Sequence, residues 1–275
     1  MGDGATRRPK PAHLGPAYAE QFGDPAVVAA YRYRPTYPEA VFPMLARLAG
    51  GPSGAVLDVG CGDGAIARPL APLVARLDAV DSAAEMVRAG RRLPGGDHPH
   101  LTWTVGPTES APVRPPYTLI SAGASIHWFD WDVALPRFSR LLSPDGWLAI
   151  AGQWVRSNPW DADLQPIIDR YSTNREYRPY DVIDELTSRG FFSVAGRWAS
   201  DPVPFRQSIT DYVESFHARN GFSRDRMSPD DAAAFDAAAT ARVAGHCPDG
   251  QVTLQVVGTI VWGSPLAPVE RTDER

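Results

Sequence analysis

The sequence predicts an α/β protein built on a doubly wound β-sheet. Short apolar runs typical of buried strands alternate with longer stretches of helical periodicity through the first half of the chain. A glycine-rich turn follows the first of these runs directly, as expected where a parallel strand passes into a helix. The 275 residues suffice for one large domain or two small ones.

The strand and helix positions follow from this alternation. Strands are predicted at residues 55–59, 76–81, 101–105, 117–122 and 146–152, with helices at 82–92 and 131–142. Residues 25–48 read as helical segments interrupted by three prolines, and we expect them to lie over the mouth of a site. Pro69 and Pro72 fall where the helix after the first strand belongs, so that helix is predicted to start late or to bend.

The pattern is weaker beyond residue 153. Residues 183–189 are predicted as a helix, and residues 191–198 and 252–262 as strands. The roughly fifty residues between these two strands carry helices predicted at 208–219 and 228–245. We expect an insertion of this size at the carboxyl edge of a sheet to cover a substrate site.

The glycine-rich turn is the most informative functional feature. Residues 56–64 read V-L-D-V-G-C-G-D-G, an apolar strand followed by glycines that let the backbone turn sharply and approach a ligand. Asp81 ends the predicted second strand about 20 residues beyond the first glycine, where dinucleotide-type folds place an acid that binds ribose hydroxyls. The combination predicts a site for a cofactor that contains adenosine.

Charge distinguishes between two such cofactors. The spacing Gly60-x-Gly62-x-x-Ala65 also satisfies the dinucleotide pattern, so spacing alone leaves NAD open. A pyrophosphate would lie close to Asp58 and Asp63, and the turn contains no basic residue. S-adenosylmethionine (SAM) carries a sulfonium and an ammonium group and no phosphate, so the carboxylates favour SAM.

Several segments, in order along the chain, resemble the class I SAM-dependent methyltransferases. The glycine turn is similar to their motif I, D-x-G-x-G-x-G, and residues 103–112 resemble their third-strand element. Residues 117–130, with His127 and Trp128, resemble the fourth strand and H-W turn of the type 11 branch, which contains ubiquinone-pathway and trans-aconitate methyltransferases. Residues 31–38, Y-R-Y-R-P-T-Y-P, resemble the Y-x-x-x-R-P-x-Y-P segment of the same branch, with one residue fewer between the first tyrosine and the arginine. Pro107 stands where the third-strand acid is usual.

The resemblance implies a Rossmann-like sheet of seven strands in the order 3-2-1-4-5-7-6, with the seventh strand antiparallel, and SAM as cofactor. It implies cofactor contacts from the N-terminal segment, the glycine turn and the ends of the next three strands: Tyr31, Arg34, Asp58, Gly60, Cys61, Gly62, Gly64, Asp81, Ser82, Met86, Thr108, Glu109 and Ala124. One methyltransferase domain is expected at residues 16–263, with its core at 51–153, a cover formed by residues 16–40 and 200–248, and mobile tails at 1–15 and 264–275.

The predicted reaction is methylation of a small organic acceptor, with O-methylation of a secondary metabolite favoured. His127 is the candidate general base for a hydroxyl acceptor because it follows the fourth strand, where the acceptor pocket of this fold begins; packing in the H-W turn is the alternative. Trp128, His217 and Arg219 are the candidate acceptor contacts. Two other functions remain open, a SAM-binding protein with a non-methylating activity and a nicotinamide-dependent oxidoreductase.

Composition argues against several other classes. The net charge of −5 and the lack of a basic block argue against nucleic-acid binding. No run approaches the ~18 apolar residues of a membrane span, and the N-terminus lacks the apolar core of a signal peptide, so a cytoplasmic protein is expected. The two cysteines and the spacing of acidic and histidine residues predict neither a disulfide framework nor a metal site. The sequence carries no indication of oligomeric state.

Overall fold

The computed structural model describes Lys10, residues 14–178 and residues 180–266. The predicted tails at 1–15 and 264–275 therefore lie mostly outside the described residues. Ser264 and Pro265 are described, and they belong to the last strand of the sheet rather than to a tail.

The strands form one mixed sheet. They are β1 (Ala55–Val59), β2 (Arg76–Asp81), β3 (Leu101–Val105), β4 (Tyr117–Gly123), β5 (Leu142–Val155), β6 (Phe192–Ala199), β7 (Val203–Ser208) and β8 (Gln251–Pro265). Their order is β3-β2-β1-β4-β5-β8-β6, with β7 also paired to β8. Strands β1 to β5 pair in parallel, and β8 is antiparallel to β5, β6 and β7.

The predicted α/β fold and strand order are confirmed, with β8 in the place of the seventh strand. The sheet has eight strands rather than seven, because β7 adds a strand within residues that were predicted as cover. β7 pairs with the first half of β8, from Ser208 opposite Gln251 to Val203 opposite Val256.

Ten helices accompany the sheet in the described part of the chain. They are α1 (Pro16–Ala19), α2 (Pro25–Ala30), α3 (Val41–Leu48), α4 (Ala67–Leu70), α5 (Ala84–Gly90), α6 (Trp131–Leu141), α7 (Asp161–Tyr171), α8 (Val182–Ser188), α9 (Ile209–Glu214) and α10 (Pro229–Ala244). α4 starts late and passes into a 3-10 turn at Ala71–Leu73, as the two prolines predicted. α7 was not predicted from the sequence.

Alternate residues of the parallel strands face two separate helical layers. Val56 of β1 and Leu119 of β4 pack with α3 and α4 on one face, whereas Leu57 and Ile120 pack with α6 and α8 on the other. Because both faces are covered, the strands read as continuous apolar runs. The carboxyl ends of β1, β2 and β4 consequently meet at one edge of the sheet, beneath the cover.

The cover joins two segments that are distant in sequence. Helices α7, α9 and α10 share a third apolar cluster around the fully buried Phe235. The N-terminal segment is fastened to it because the Asp24 carboxylate accepts hydrogen bonds from Ser223 Oγ (2.9 Å) and Arg226 Nε (2.6 Å). Gln21 Oε1 also accepts a hydrogen bond from the Gly221 amide (3.1 Å). The two parts of the cover therefore hold each other in place.

We predict that Gly258 is required for the close approach of the N-terminal segment to β8. A Cβ at Gly258 would lie 2.5 Å from Val41 Cγ2 and 3.2 Å from Pro38 Cδ. Both neighbouring side chains are stiff, so Gly258→Ala should lower the free energy of unfolding by about 1–3 kcal/mol in chemical denaturation. Gly23→Ala is the control, because no described heavy atom lies within 4 Å of a Cβ placed there. Equal stabilities of the two variants would contradict this account.

Candidate active site

The glycine turn at the end of β1 lies directly beneath the cover. Gly60 has a φ of +61°, and a Cβ there would lie 2.5 Å from the Ser125 Cβ, so only glycine lets the turn approach the segment after β4. Gly62 has a φ of +56° and lines the cavity described below. The Cys61 amide donates a hydrogen bond to the Val80 carbonyl (3.1 Å), which ties the turn to β2.

The Asp81 carboxylate connects this turn to the next helix. One of its oxygens, Oδ2, accepts a hydrogen bond from the Gly62 amide, and the other, Oδ1, accepts one from the Ala83 amide, both at 2.7 Å. Burial raises the pKa of Asp81 above its ordinary value, and the two hydrogen bonds act in the opposite direction. The carboxylate is thus held at the cavity wall by backbone donors on both sides.

A first cavity of about 360 Å³ lies between the sheet edge and the cover. It brings together most of the predicted cofactor residues: Tyr31, Arg34, Gly60, Gly62, Asp81, Ser82, Met86, Thr108, Glu109 and Ala124. Glu109 is also held in place from the other side, because its Oε1 accepts a hydrogen bond from the Asp130 amide (2.9 Å). Cys61 and Gly64 do not line this cavity. The Cys61 side chain is buried, and Gly64 packs beneath the Trp103 ring, so their parts are structural.

A second cavity of about 670 Å³ adjoins the first on the side of Asp58. Three residues of its lining carry a buried oxygen that has no hydrogen-bond donor among the described residues: Asp58 Oδ2, Asp63 Oδ1 and Gln153 Oε1. The other oxygen of Asp58 accepts a hydrogen bond from Ser121 Oγ (2.7 Å). Burial raises the pKa of Asp58 to about 7. Buried oxygens without hydrogen-bond donors favour a ligand that carries such donors and a positive charge.

The segment after β4 forms the opposite wall of the first cavity. Ala124 has a φ of +50°, a conformation that non-glycine residues rarely adopt, and it lines both cavities. It is followed by a 3-10 turn at Ile126–Trp128. His127 and Trp128 of this turn line the first cavity, with their ring centroids 4.6 Å apart.

Two guanidinium groups of the cover reach the first cavity. The Cζ of Arg34 lies 4.9 Å from the centre of the Tyr31 ring, and that of Arg219 lies 3.9 Å from the centre of the Phe216 ring. In the part of the chain that the structure describes, neither arginine forms a hydrogen bond or an ion pair with an acidic residue. Burial lowers the pKa of Arg219 to about 10, so the group remains charged at neutral pH.

His217 does not belong to this site. Its side chain is fully buried, Nδ1 lies 2.7 Å from the Phe222 carbonyl oxygen, and Nε2 lies 2.8 Å from Asp236 Oδ1. Both ring nitrogens are therefore engaged inside the cover, away from the described cavities. The prediction that His217 contacts the acceptor is wrong, whereas Trp128 and Arg219 do lie at the cavity wall.

A third cavity, of about 750 Å³, opens beside the first and was not predicted from the sequence. Its wall is formed largely by α7 and the segment that follows it, including Asn174 and Tyr177. The residues it shares with the first cavity are His127, Trp128, Arg219 and Asn220. No motif marks this wall, because it comes from the part of the chain where the family resemblance ends.

None of the described helices combines the length and the apolar composition that crossing a membrane requires. The described residues also contain no group of three or more His, Cys, Asp or Glu side chains arranged to hold a metal ion.

Comparison with known proteins adds independent information. A family model described as a methyltransferase domain matches residues 56–146, from β1 into β5. A candidate type II methyltransferase from Anaeromyxobacter dehalogenans has a similar solved structure: it is 25% identical, the match covers 85% of this chain and 99% of that chain, and the TM-score is 0.59. No curated protein was found to match the sequence.

Two more distant structures share the fold. One is a phosphoethanolamine N-methyltransferase of Haemonchus contortus in complex with phosphomonomethylethanolamine and S-adenosylhomocysteine (14% identity, 90% of this chain and 59% of that chain, TM-score 0.52). The other is the [4+2]-cyclase SpnF (16% identity, 94% of this chain and 99% of that chain, TM-score 0.53). One fold thus serves proteins named for different reactions.

We predict that the Asp58 carboxyl makes stability depend on pH. The pKa of Asp58 is raised from 3.8 to about 7 in the folded protein. The contribution of the protonated carboxyl to the free energy of unfolding is therefore fully present below about pH 4 and is lost as pH rises through about 7. Asp58→Asn keeps an oxygen for the Ser121 hydroxyl and cannot ionise. Relative to the wild type, it should therefore gain about 2–4 kcal/mol in unfolding free energy between pH 4 and pH 8.

Denaturant unfolding of both proteins at pH 4, 6 and 8 measures this difference. Ser121→Ala is a useful companion, because removing a donor to the carboxylate should increase the loss of stability at high pH. Parallel pH profiles for the wild type and Asp58→Asn would show that the carboxyl is not the titrating group.

Proposed function

The chain belongs to the class I SAM-dependent methyltransferases, and we propose that it binds SAM beneath the cover and transfers a methyl group to a small organic acceptor. The observation that carries the proposal is the convergence of the glycine turn, Asp81 and Thr108 on the first cavity. The match to a methyltransferase domain also argues against the nicotinamide-dependent alternative.

The side chains around the first cavity suit the adenosine part of SAM. The Asp81 carboxylate is partly exposed to the cavity and can accept hydrogen bonds from ribose hydroxyls. Met86, Thr108 and Glu109 would border the adenine, with Thr108 supplying the polar contact that Pro107 cannot.

The second cavity suits the amino-acid part of the same molecule. Asp58 has a carboxylate oxygen without a donor, which an ammonium group would satisfy. Arg34 lines both cavities and offers a guanidinium fork that matches a carboxylate. Tyr31 lies beside it and would close over this end of the cofactor. The second cavity thus has carboxylates that suit the ammonium group of an amino acid and a guanidinium that suits its carboxylate.

Bound SAM supplies an electrophilic methyl group on its sulfonium sulfur. The protein then has to align the acceptor with that methyl group, exclude water and accept a proton from a hydroxyl acceptor. Phe22, Tyr31 and Arg219 of the cover line the first cavity and would help to exclude water once ligands are bound. His127 lines both the first and the third cavity, so an acceptor that reaches from one to the other passes within its range.

We assign His127 as the general base and Trp128 as an apolar wall for the acceptor. O-methylation is favoured because a neutral hydroxyl needs such a base, whereas a nucleophile that carries no proton does not. The Ala-, Arg- and Gly-rich composition is typical of a GC-rich bacterial genome, where enzymes of this kind often modify secondary metabolites. A secondary metabolite is therefore the acceptor class that we propose.

The similarity in fold to a [4+2]-cyclase supports one alternative, in which SAM is held while the cover serves another reaction. Incubation with methyl-labelled SAM and a panel of phenols, alcohols and hydroxy acids separates the two. Label in an acceptor supports methyl transfer. Tight SAM binding without transfer to any acceptor would favour the alternative.

We predict that Asp81→Ala weakens SAM binding. The variant loses hydrogen bonds to a buried ribose and also frees the Gly62 and Ala83 amides, so affinity should fall by about 1.5–3 kcal/mol, or at least about 10-fold. Isothermal titration calorimetry measures the change. Asp97→Ala removes the same charge at an exposed position outside the described cavities and should bind SAM like the wild type. Unchanged affinity in Asp81→Ala would refute the cofactor position.

We predict that His127→Ala separates proton transfer from cofactor binding. If His127 is the base, kcat should fall by about 10²–10⁴ while SAM affinity stays within a few fold. Single-turnover rates of the wild type should decline toward acid pH, because a protonated imidazole cannot accept a proton. His246→Ala, on an exposed part of the cover, provides the control. Identical pH profiles for the wild type and His127→Ala would exclude His127 from proton transfer.

A further inference from the structure

Arg219 stands in the wall between the first and third cavities. His127, Trp128 and Asn220 occupy the same wall. A ligand that extends from the third cavity toward the proposed methyl donor must therefore pass Arg219 and His127 together. This arrangement places a cation next to the candidate base.

The guanidinium of Arg219 has no counterion in the described structure. It rests on the Phe216 ring, and the charged side chains that influence it most are Arg34, which repels it, and Asp161, which attracts it without forming an ion pair. Arg219 keeps an exposed surface and lines both the first and the third cavity. A guanidinium that has no counterion and is accessible from a cavity can form charge-assisted hydrogen bonds with an anionic ligand.

Two arginines that follow Arg219 in the cover are paired with carboxylates. Arg224 forms ion pairs with Glu214 (2.7 Å) and Asp236 (2.9 Å), and Arg226 forms one with Asp24 (2.6 Å). Arg175 also lines the third cavity, but its Nη1 and Nη2 donate to backbone carbonyls of α7 at 2.9 Å each. Arg219 is left with donors that a ligand can use.

A second polar group points to the same ligand chemistry. Asn220 Oδ1 accepts a hydrogen bond from Asn174 Nδ2 (3.1 Å), which fixes the amide and leaves its N–H₂ group as donor. A guanidinium and an amide donor side by side match the two oxygens of a carboxylate. Asp169 on the same cavity disfavours a ligand with more than one negative charge. Phe216 and Phe222 add an apolar surface for the rest of the molecule.

We propose that the methyl acceptor is a hydroxy acid with an apolar or aromatic body, whose carboxylate binds Arg219 and Asn220 while its hydroxyl faces His127. This inference rests on the proposed methyltransferase function and names the substrate class for the same site. It assigns Arg34 to the cofactor and Arg219 to the acceptor.

The test uses the full chain saturated with S-adenosylhomocysteine and three probes: 4-hydroxybenzoate, 4-hydroxybenzamide and phenyl phosphate. Calorimetry and ligand-observed NMR give their affinities. We expect the benzoate to bind at least about 10-fold more tightly than the neutral amide and more tightly than the phosphate. Arg219→Gln should abolish this preference and leave amide binding unchanged, and Arg219→Lys should restore it in part because the charge returns without the fork. Arg242→Gln, which removes an exposed charge of α10, should behave like the wild type.

A SAM titration carried out first distinguishes a failure of the proposed function from a failure of the proposed acceptor class. If the wild type does not bind SAM, the proposed function itself fails. If SAM binds but the wild type shows no preference for the carboxylate, or Arg219→Gln retains that preference, only the acceptor class is wrong. A 10-fold or greater loss of SAM affinity in Arg219→Gln would assign Arg219 to the cofactor instead. Tighter binding of phenyl phosphate than of the benzoate would also overturn the proposal.

Discussion

The position of the site depends on one carboxylate that joins two turns of the backbone. Asp81 accepts hydrogen bonds from Gly62 on the β1 turn and from Ala83 before α5, so the ends of β1 and β2 cannot move independently. The rest of the first cavity is built outward from that junction. The N-cap residue of α5, Ala83, offers no side chain to cap the helix, and the Asp81 carboxylate accepts the hydrogen bond of the Ala83 amide instead.

Two charged groups near this junction have no ion-pair partner among the described residues. Asp58 is buried at the end of β1 and Arg219 is exposed on the cover, and neither has an ionic partner among the described residues. The buried Asp58 carboxylate lowers the stability of the fold, and both groups would gain a partner when the proposed ligands bind. The opposite signs of the two groups also give the site a direction, with cationic ligand groups favoured near the sheet and anionic groups near the cover.

Much of the fold could be predicted because its strands are buried on both faces and therefore read as uninterrupted apolar runs. The cofactor side of the site was predictable for a related reason, since Gly60, Gly62 and Asp81 are required by backbone geometry and lie at fixed spacing. The acceptor side was not. His217 and Arg219 are two residues apart and looked equivalent in sequence, yet one is enclosed by Phe222 and Asp236 and the other faces the cavities. Only the packing of α10 and α7, which carry no motif, decides between them.

The place of β8 in the sheet has a consequence for synthesis of the chain. β6 and β7 join the described sheet only through β8, and β8 also covers the edge of β5. Until residues 251–265 have left the ribosome, two strands lack a partner and a third presents an open edge, which is the form of sheet most exposed to wrong pairing. The nascent protein thus depends on β8 for protection from aggregation, and loss of the β8 residues that pair with β6 would leave an unpaired strand in the finished chain.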